Sequence, residues 1–281
     1  MCWLFFSLAA TPIVLRIAFP RYTAEGADET VPPESRPVFI ASDSGGLRGW
    51  VLDAEQPKGV VLVLHGMRGS AEEMLRDLSI GETGWTTVAV NMTGVNGSDG
   101  AWTVGLQQAL TDGRKAVEWI KEQPGWSDLP LAVLGHSAGA WAAAMLSGED
   151  AVDGVICISG FDRPVTFMVD CAERAVGPLV LPEEPFLRLC EAFLFGSEAD
   201  ASGAKALKDS GKPALIVHGS EDRTVPIGQS IYAGCGPEDT GLTELTAEHA
   251  GHALKEVVNA LPDEAFPELL EKCSAPAGRS E

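Results

Sequence analysis

The stretch LGHSAGA, residues 134–140, places Ser137 between two glycines. A serine hydroxyl attacks a carbonyl only when a base takes its proton and a carboxylate fixes the tautomer of that base. The chain offers His65, His136, His218, His249 and His252. His252, in EHAGHALK, is the strongest base candidate, with His249 behind it. Asp222 follows the apolar run PALIVHG in VHGSEDRTVP, with Glu221 beside it, and Asp162 in SGFDRP is the rival acid. Ser137, Asp222 and His252 also stand in a chain order in which these three groups recur. The negative charge that develops on an attacked carbonyl needs two preorganised N–H donors. Ala138, directly after the serine, supplies one backbone candidate, and Met67, after His65-Gly66, supplies the other. With 31 glycines in 281 residues the Gly-x-Ser-x-Gly pattern is cheap, so its surroundings decide.

Those groups must be held along one edge of a scaffold. LPLAVLG (129–135) reads as a strand and AGAWAAAML as a helix, so Ser137 falls on the turn between them. Such a turn is tight, and Gly135 and Gly139 let strand and helix approach without Cβ clashes. GVVLVLHG (59–66), TTVAVNM (86–92), DGVICIS (153–159) and PALIVHG (213–219) are continuous apolar runs, the pattern of strands buried on both faces. PVFIAS (37–42) and LRGWVLD (47–53) read as a hairpin, and TGLTELTAEH as a last strand. Helical spacing covers 102–120, 138–147 and 252–261, which sets His252 at the start of a C-terminal helix. Strands alternating with helices predict an α/β fold with a mostly parallel sheet covered on both faces. Residues 161–210 break the rhythm with PLVLPEEPFLRLCEAFLF and read as an inserted helical cap. Of its apolar residues, Leu179, Val180, Leu181, Phe186, Leu187, Leu189, Phe193, Leu194 and Phe195, most are expected to pack the cap onto the domain and the rest to line a substrate pocket.

Composition narrows the partners. Apolar residues at 45% and charged ones at 21% describe a globular chain. A net charge of −20 without a Lys/Arg cluster argues against a nucleic-acid partner. The six cysteines lack Cys-x-x-Cys spacing and so lack a zinc pattern. Cys157 reads as a packed thiol, while Cys171 with Cys190 and Cys235 with Cys273 are open pairings. Residues 2–15 are uncharged and the apolar character runs on to Phe19, which suits a membrane anchor or a signal-peptide core. The expected organisation is a hydrophobic segment at 1–21, a polar linker at 22–36 and one domain at 37–273 that carries the cap. Membrane association through the N-terminus is expected, with secretion as the alternative.

VLHG, GHSAG, HGSEDRTVP and HAGH stand in that order between about residue 36 and residue 261. Through them the chain resembles the α/β-hydrolases of the serine hydrolase type, and within these the N-terminally anchored hydrolases related to serine aminopeptidases. The resemblance implies an eight-stranded sheet, mostly parallel with its second strand antiparallel, helices on both faces, and a small helical cap after the sixth strand. HGMRGS stands where many lipases have HGGG, and MTGVNGSDG replaces the usual Gly-rich segment after the fourth strand, so narrower substrate rules are not carried over. A serine at the elbow rules out dehalogenase chemistry, which needs an aspartate there. Neither nucleotide-binding glycine motif is present. His249 and His252, three apart, lack the further ligands of a metal site, and no cofactor is expected. An apolar cap over Ser137 points to carboxylic esters of small or medium apolar acyl groups. Cleavage of amides and a catalytically inactive, membrane-tethered binding module are the alternatives.

Overall fold

Along each central strand of the computed structural model, alternate side chains feed two separate apolar layers. The structure describes Thr23 and residues 30–42, 45–78, 83–100, 105–236, 239 and 241–274. The segment 1–21 expected to seek a membrane lies outside them, and no described helix is long and apolar enough to cross one.

Eight strands form one sheet: β1 (Arg36–Ser42), β2 (Gly45–Leu52), β3 (Val60–Leu64), β4 (Thr86–Val90), β5 (Leu131–His136), β6 (Gly154–Ile158), β7 (Ala214–Gly219) and β8 (Leu242–Ala247). Their spatial order is β1-β2-β4-β3-β5-β6-β7-β8. β2 runs antiparallel to both neighbours, and the pairings from β4 through β8 are parallel. The helices are α1 (Ala71–Asp77), α2 (Gln108–Glu122), α3 (Ala138–Leu146), α4 (Pro164–Val176), α5 (Glu184–Phe195), α6 (Gly203–Ser210), α7 (Ile231–Gly234), α8 (Leu254–Asn259) and α9 (Ala265–Ser274).

Leu62, Leu64, Val133 and Cys157 face a core shared with Leu110 of α2 and Trp141 of α3. Val63, Leu134, Ile156 and Val217 face the other core, closed by Met74 of α1, Val257 of α8 and Leu269 of α9. Each such side chain taken out of water contributes about 1.5–3 kcal/mol, which fixes the register of the sheet and the height of every loop at its carboxyl edge.

The elements depart from the sequence expectation in four places. Arg36, assigned to the linker, already pairs with Val51 in the sheet. The helix expected over 102–120 begins at Gln108, and residues 105–107 form a turn that buries Gln107. The helix expected over 252–261 starts at Leu254 and ends before Pro262, whose ring cannot continue it, so His252 stands on a loop instead of a helix. Within 161–210, Ala204 and Leu207 of α6 are buried in the core beside α3. That helix belongs to the sheet's covering layer, and the cap proper comprises α4, the 3-10 stretch Gly177–Glu183 and α5. The cap is tied down by Arg188, which holds Glu184 and Asp200, and by Arg174, which donates to the carbonyls of Arg223 and Thr224. Cys171, Cys190, Cys235 and Cys273 are free thiols, so neither open pairing forms.

Candidate active site

Ser137 sits between β5 and α3 with φ 55° and ψ −113°, a backbone region that L-residues rarely enter. The strain persists because close packing leaves no other path. A Cβ on Gly135 would lie 2.0 Å from the Gly139 carbonyl oxygen, and one on Gly139 would lie 2.1 Å from that of Leu64. The Ser137 N–H donates to Ile158 of β6 at 2.9 Å, which pins the turn to the next strand.

His252 Nε2 lies 3.1 Å from Ser137 Oγ, and its Nδ1 lies 2.7 Å from Asp222 Oδ2. These partners assign the tautomer: Nδ1–H donates to the carboxylate, and Nε2 accepts from the serine hydroxyl. Asp222 Oδ1 accepts the Thr224 and Val225 N–H groups at 2.8 and 2.9 Å. Burial alone would raise the Asp222 pKa, but the hydrogen bond from His252 and the surrounding donors hold it below the usual carboxylate value. The arrangement has a base aimed at a hydroxyl and an ionised group that stabilises the protonated base.

The rival candidates do other things. His249 is exposed beside Glu221 and away from Ser137. Asp162 accepts from Ser202 Oγ at 2.7 Å and from the Ala204 N–H at 2.9 Å, so it caps α6. Gly66 abuts the nucleophile, since a Cβ there would lie 2.9 Å from Ser137 Cβ. Met67 therefore begins beside the serine, and neither its N–H nor that of Ala138 donates to a described residue. Two N–H groups left open on either side of the hydroxyl suit an anionic oxygen.

Two histidines act in ways the sequence did not reveal. His65 accepts the Met92 N–H on Nε2 at 3.0 Å and donates from Nδ1 to the Gly66 carbonyl at 2.7 Å, which joins the Met67 loop to the end of β4. Burial lowers its pKa to about 4, so the ring stays neutral and keeps an acceptor nitrogen. His136 donates from Nε2 to the His252 carbonyl at 2.8 Å, and burial together with the neighbouring His252 lowers its pKa to about 4 as well. The base is thus anchored through its backbone to the residue before the nucleophile. Glu72, fully buried, accepts from Trp50 Nε1 at 2.7 Å, Asn91 Nδ2 at 2.9 Å and Asn96 Nδ2 at 3.0 Å. Burial would raise its pKa, yet these donors hold it below the ordinary value, and the ion fastens α1 to β2 and to the loop after β4.

An open cavity of about 280 Å³ leads to Ser137 and His252. Its walls come from the Gly66–Ser70 loop, from Glu73, Met74, Arg76 and Asp77, and from Leu254. Among the described residues, none from the cap lines it. Leu181, Leu189, Phe193 and Leu194 face solvent, contrary to the expectation that the apolar residues of the cap pack onto the domain or line a pocket; Glu191 is the residue of α5 that is fully buried.

The doubly wound sheet, the serine elbow and the groups that converge on it give this chain the α/β-hydrolase fold. A family model for the X-Pro dipeptidyl-peptidases (S15 family) matches residues 48–166, which include Met67 and Ser137 and end before Asp222. Among solved structures, an esterase of Pyrococcus furiosus is 21% identical, with 90% of this chain and 98% of that one aligned and a TM-score of 0.67. Est1E from Butyrivibrio proteoclasticus is 18% identical over 85% of this chain and 99% of its own, with a TM-score of 0.61. An alpha-beta serine hydrolase homologue from Coxiella burnetii is 18% identical over 84% and 95%, with a TM-score of 0.55. No curated protein matches the chain.

Proposed function

We propose that this protein is a serine hydrolase that cleaves carboxylic esters of small or medium apolar acyl groups through an acyl-enzyme. The observation that carries the reading is the unbroken line from Ser137 Oγ through His252 to Asp222 Oδ2. His252 Nε2 takes the hydroxyl proton as Ser137 Oγ adds to the ester carbon. The carbonyl oxygen, now anionic, sits against the Met67 and Ala138 N–H groups. Imidazolium, stabilised by ionised Asp222, then protonates the departing alkoxide and leaves the acyl group on Ser137. Water deprotonated by the same nitrogen adds to the acyl carbon, and collapse releases the acid and restores the serine. Met67, Met74 and Leu254 give the small cavity apolar walls that suit a short acyl chain. The similar structure from Pyrococcus furiosus is named as an esterase, which also supports ester over amide substrates. The match to a peptidase family over 48–166 favours a second reading, cleavage of aminoacyl or peptidyl amides.

The test is labelling of Ser137 by a fluorophosphonate, followed by kcat/KM on p-nitrophenyl acetate, butyrate and octanoate beside aminoacyl p-nitroanilides. Labelling with turnover that rises from acetate to butyrate supports the ester reading. Faster turnover of the anilides replaces it with the second, and an unlabelled folded protein removes both. We also read residues 2–19 as a membrane-seeking segment. The full chain should then sediment with membranes, and a chain starting at Thr23 should stay in the supernatant and remain active.

A further inference from the structure

Forty acidic residues against 20 basic ones leave few cations without a partner. Arg36, Arg76, Arg114, Arg163, Arg174 and Arg188 each pair with a carboxylate, and Arg48 lies over the Trp50 ring at 5.2 Å. Among the described residues, Arg68 and Arg223 are the arginines with no side-chain partner. Arg68 lines the cavity that opens onto Ser137 and His252, and Arg223 does not. Its place is set by the backbone: Arg68 directly follows Met67 and holds φ at 61°, in the left-handed region a long side chain seldom occupies. The other charged side chains of the cavity are Glu73, Arg76 and Asp77, one cation against two carboxylates. Arg76 donates two hydrogen bonds to Asp77, at 2.8 and 2.9 Å, and also feels the field of Glu73.

We infer that Arg68 is a substrate-recognition residue that selects esters carrying a carboxylate or a like anion near the scissile bond. The inference rests on the hydrolase reading above and names its substrate class. Arg68 is exposed and lines the cavity, and a guanidinium can take a carboxylate through two parallel N–H···O bonds, a geometry that lysine does not reproduce. In so acidic a protein, a cation kept free of carboxylates beside a nucleophile also offsets the repulsion an anionic substrate would meet.

Two matched pairs of esters test this after subtraction of spontaneous hydrolysis. p-Nitrophenyl hemiglutarate against p-nitrophenyl valerate places the charge on the acyl side. m-Butyryloxybenzoate against its methyl ester places it on the leaving group. Arg68→Gln should lower kcat/KM for the charged member of at least one pair about ten- to hundredfold, mainly through KM, and change its neutral partner less than about twofold. Arg68→Lys should recover part of the loss, Arg223→Gln should change neither ratio, and added salt should erode the wild-type preference. Equal losses on charged and neutral esters would reduce Arg68 to a structural part of the loop and overturn the inference, as would unchanged ratios in both pairs. If Ser137 is labelled and neutral esters turn over while the ratios stay put, the recognition claim alone fails. If Ser137 resists labelling and no ester is cleaved, the hydrolase reading fails first and takes the inference with it.

Discussion

Replacing Asp222 by asparagine separates the shape of the acid from its charge. Oδ1 receives two backbone N–H groups, from Thr224 and Val225, and only Oδ2 faces the imidazole. In Asp222→Asn the amide oxygen must stay on the two N–H donors, since the flipped amide would set its NH2 against both. The NH2 then points at His252 Nδ1 and turns that nitrogen into an acceptor. The ring proton moves to Nε2, where it faces Ser137 Oγ, and the base can no longer accept. The substitution removes both the stabilised imidazolium and the competent tautomer, so kcat should fall about 10⁴-fold, a barrier increase of about 5 kcal/mol. Steady-state hydrolysis of p-nitrophenyl butyrate across pH measures the loss, and 15N shifts of the His252 ring report the tautomer. Activity within tenfold of wild type, or Nδ1 still protonated in the variant, would refute the argument that the loop donors lock the amide.

Ser137→Gly should abolish turnover yet raise stability by about 1–3 kcal/mol, because φ 55° and ψ −113° strain any residue with a Cβ; chemical denaturation decides. His65 stays neutral down to a pKa of about 4 while the unfolded ring titrates near 6.5, so the unfolded chain binds the extra proton between those values. Stability should therefore fall with decreasing pH across that window by about 1.4 kcal/mol per unit from this ring, and the slope should flatten by that amount in His65→Gln. Glu191 shows the opposite sign. Both its carboxyl oxygens are buried without a well-formed hydrogen bond, and burial, only partly offset by nearby Gln107, raises its pKa to about 7. The folded form holds the extra proton between about 4.5 and 7, and stability falls as pH rises through that window. Glu191→Gln should be more stable than wild type near pH 8 by up to about 3 kcal/mol and no more stable near pH 4, as measured by urea unfolding at the two pH values.

The parts of this molecule that read well from sequence are those whose signal is local. VVLVL and LAVLG announce strands because each residue meets apolar neighbours on both faces, and the serine elbow is written in the residues that flank it. The preference for His252 over His249 rests on its place after TGLTELTAEH at the start of an expected helix, whereas in the structure it stands on the loop before α8 with Nδ1 2.7 Å from Asp222 Oδ2. What stayed hidden depends on contacts across long stretches of chain. Nothing near His136 signals that its ring holds a carbonyl 116 residues later. Nothing near Gln107 signals that its amide reaches the Ala199 carbonyl. The cap misled for a physical reason: an apolar helix is normally turned inward, whereas α5 buries its Glu191 and leaves Leu189 and Phe193 in water.

The strand order also sets a timetable for synthesis. From β3 the sheet grows in one direction as β5, β6, β7 and β8 are added at successive positions, so a chain emerging from the ribosome can extend it strand by strand. Ser137 appears on that growing edge long before Asp222, and His252 follows β8 itself. Under the proposed mechanism a nascent chain holding the elbow has no base to activate it, and the hydroxyl is expected to stay inert. Reactivity should then switch on only when the last strand has docked.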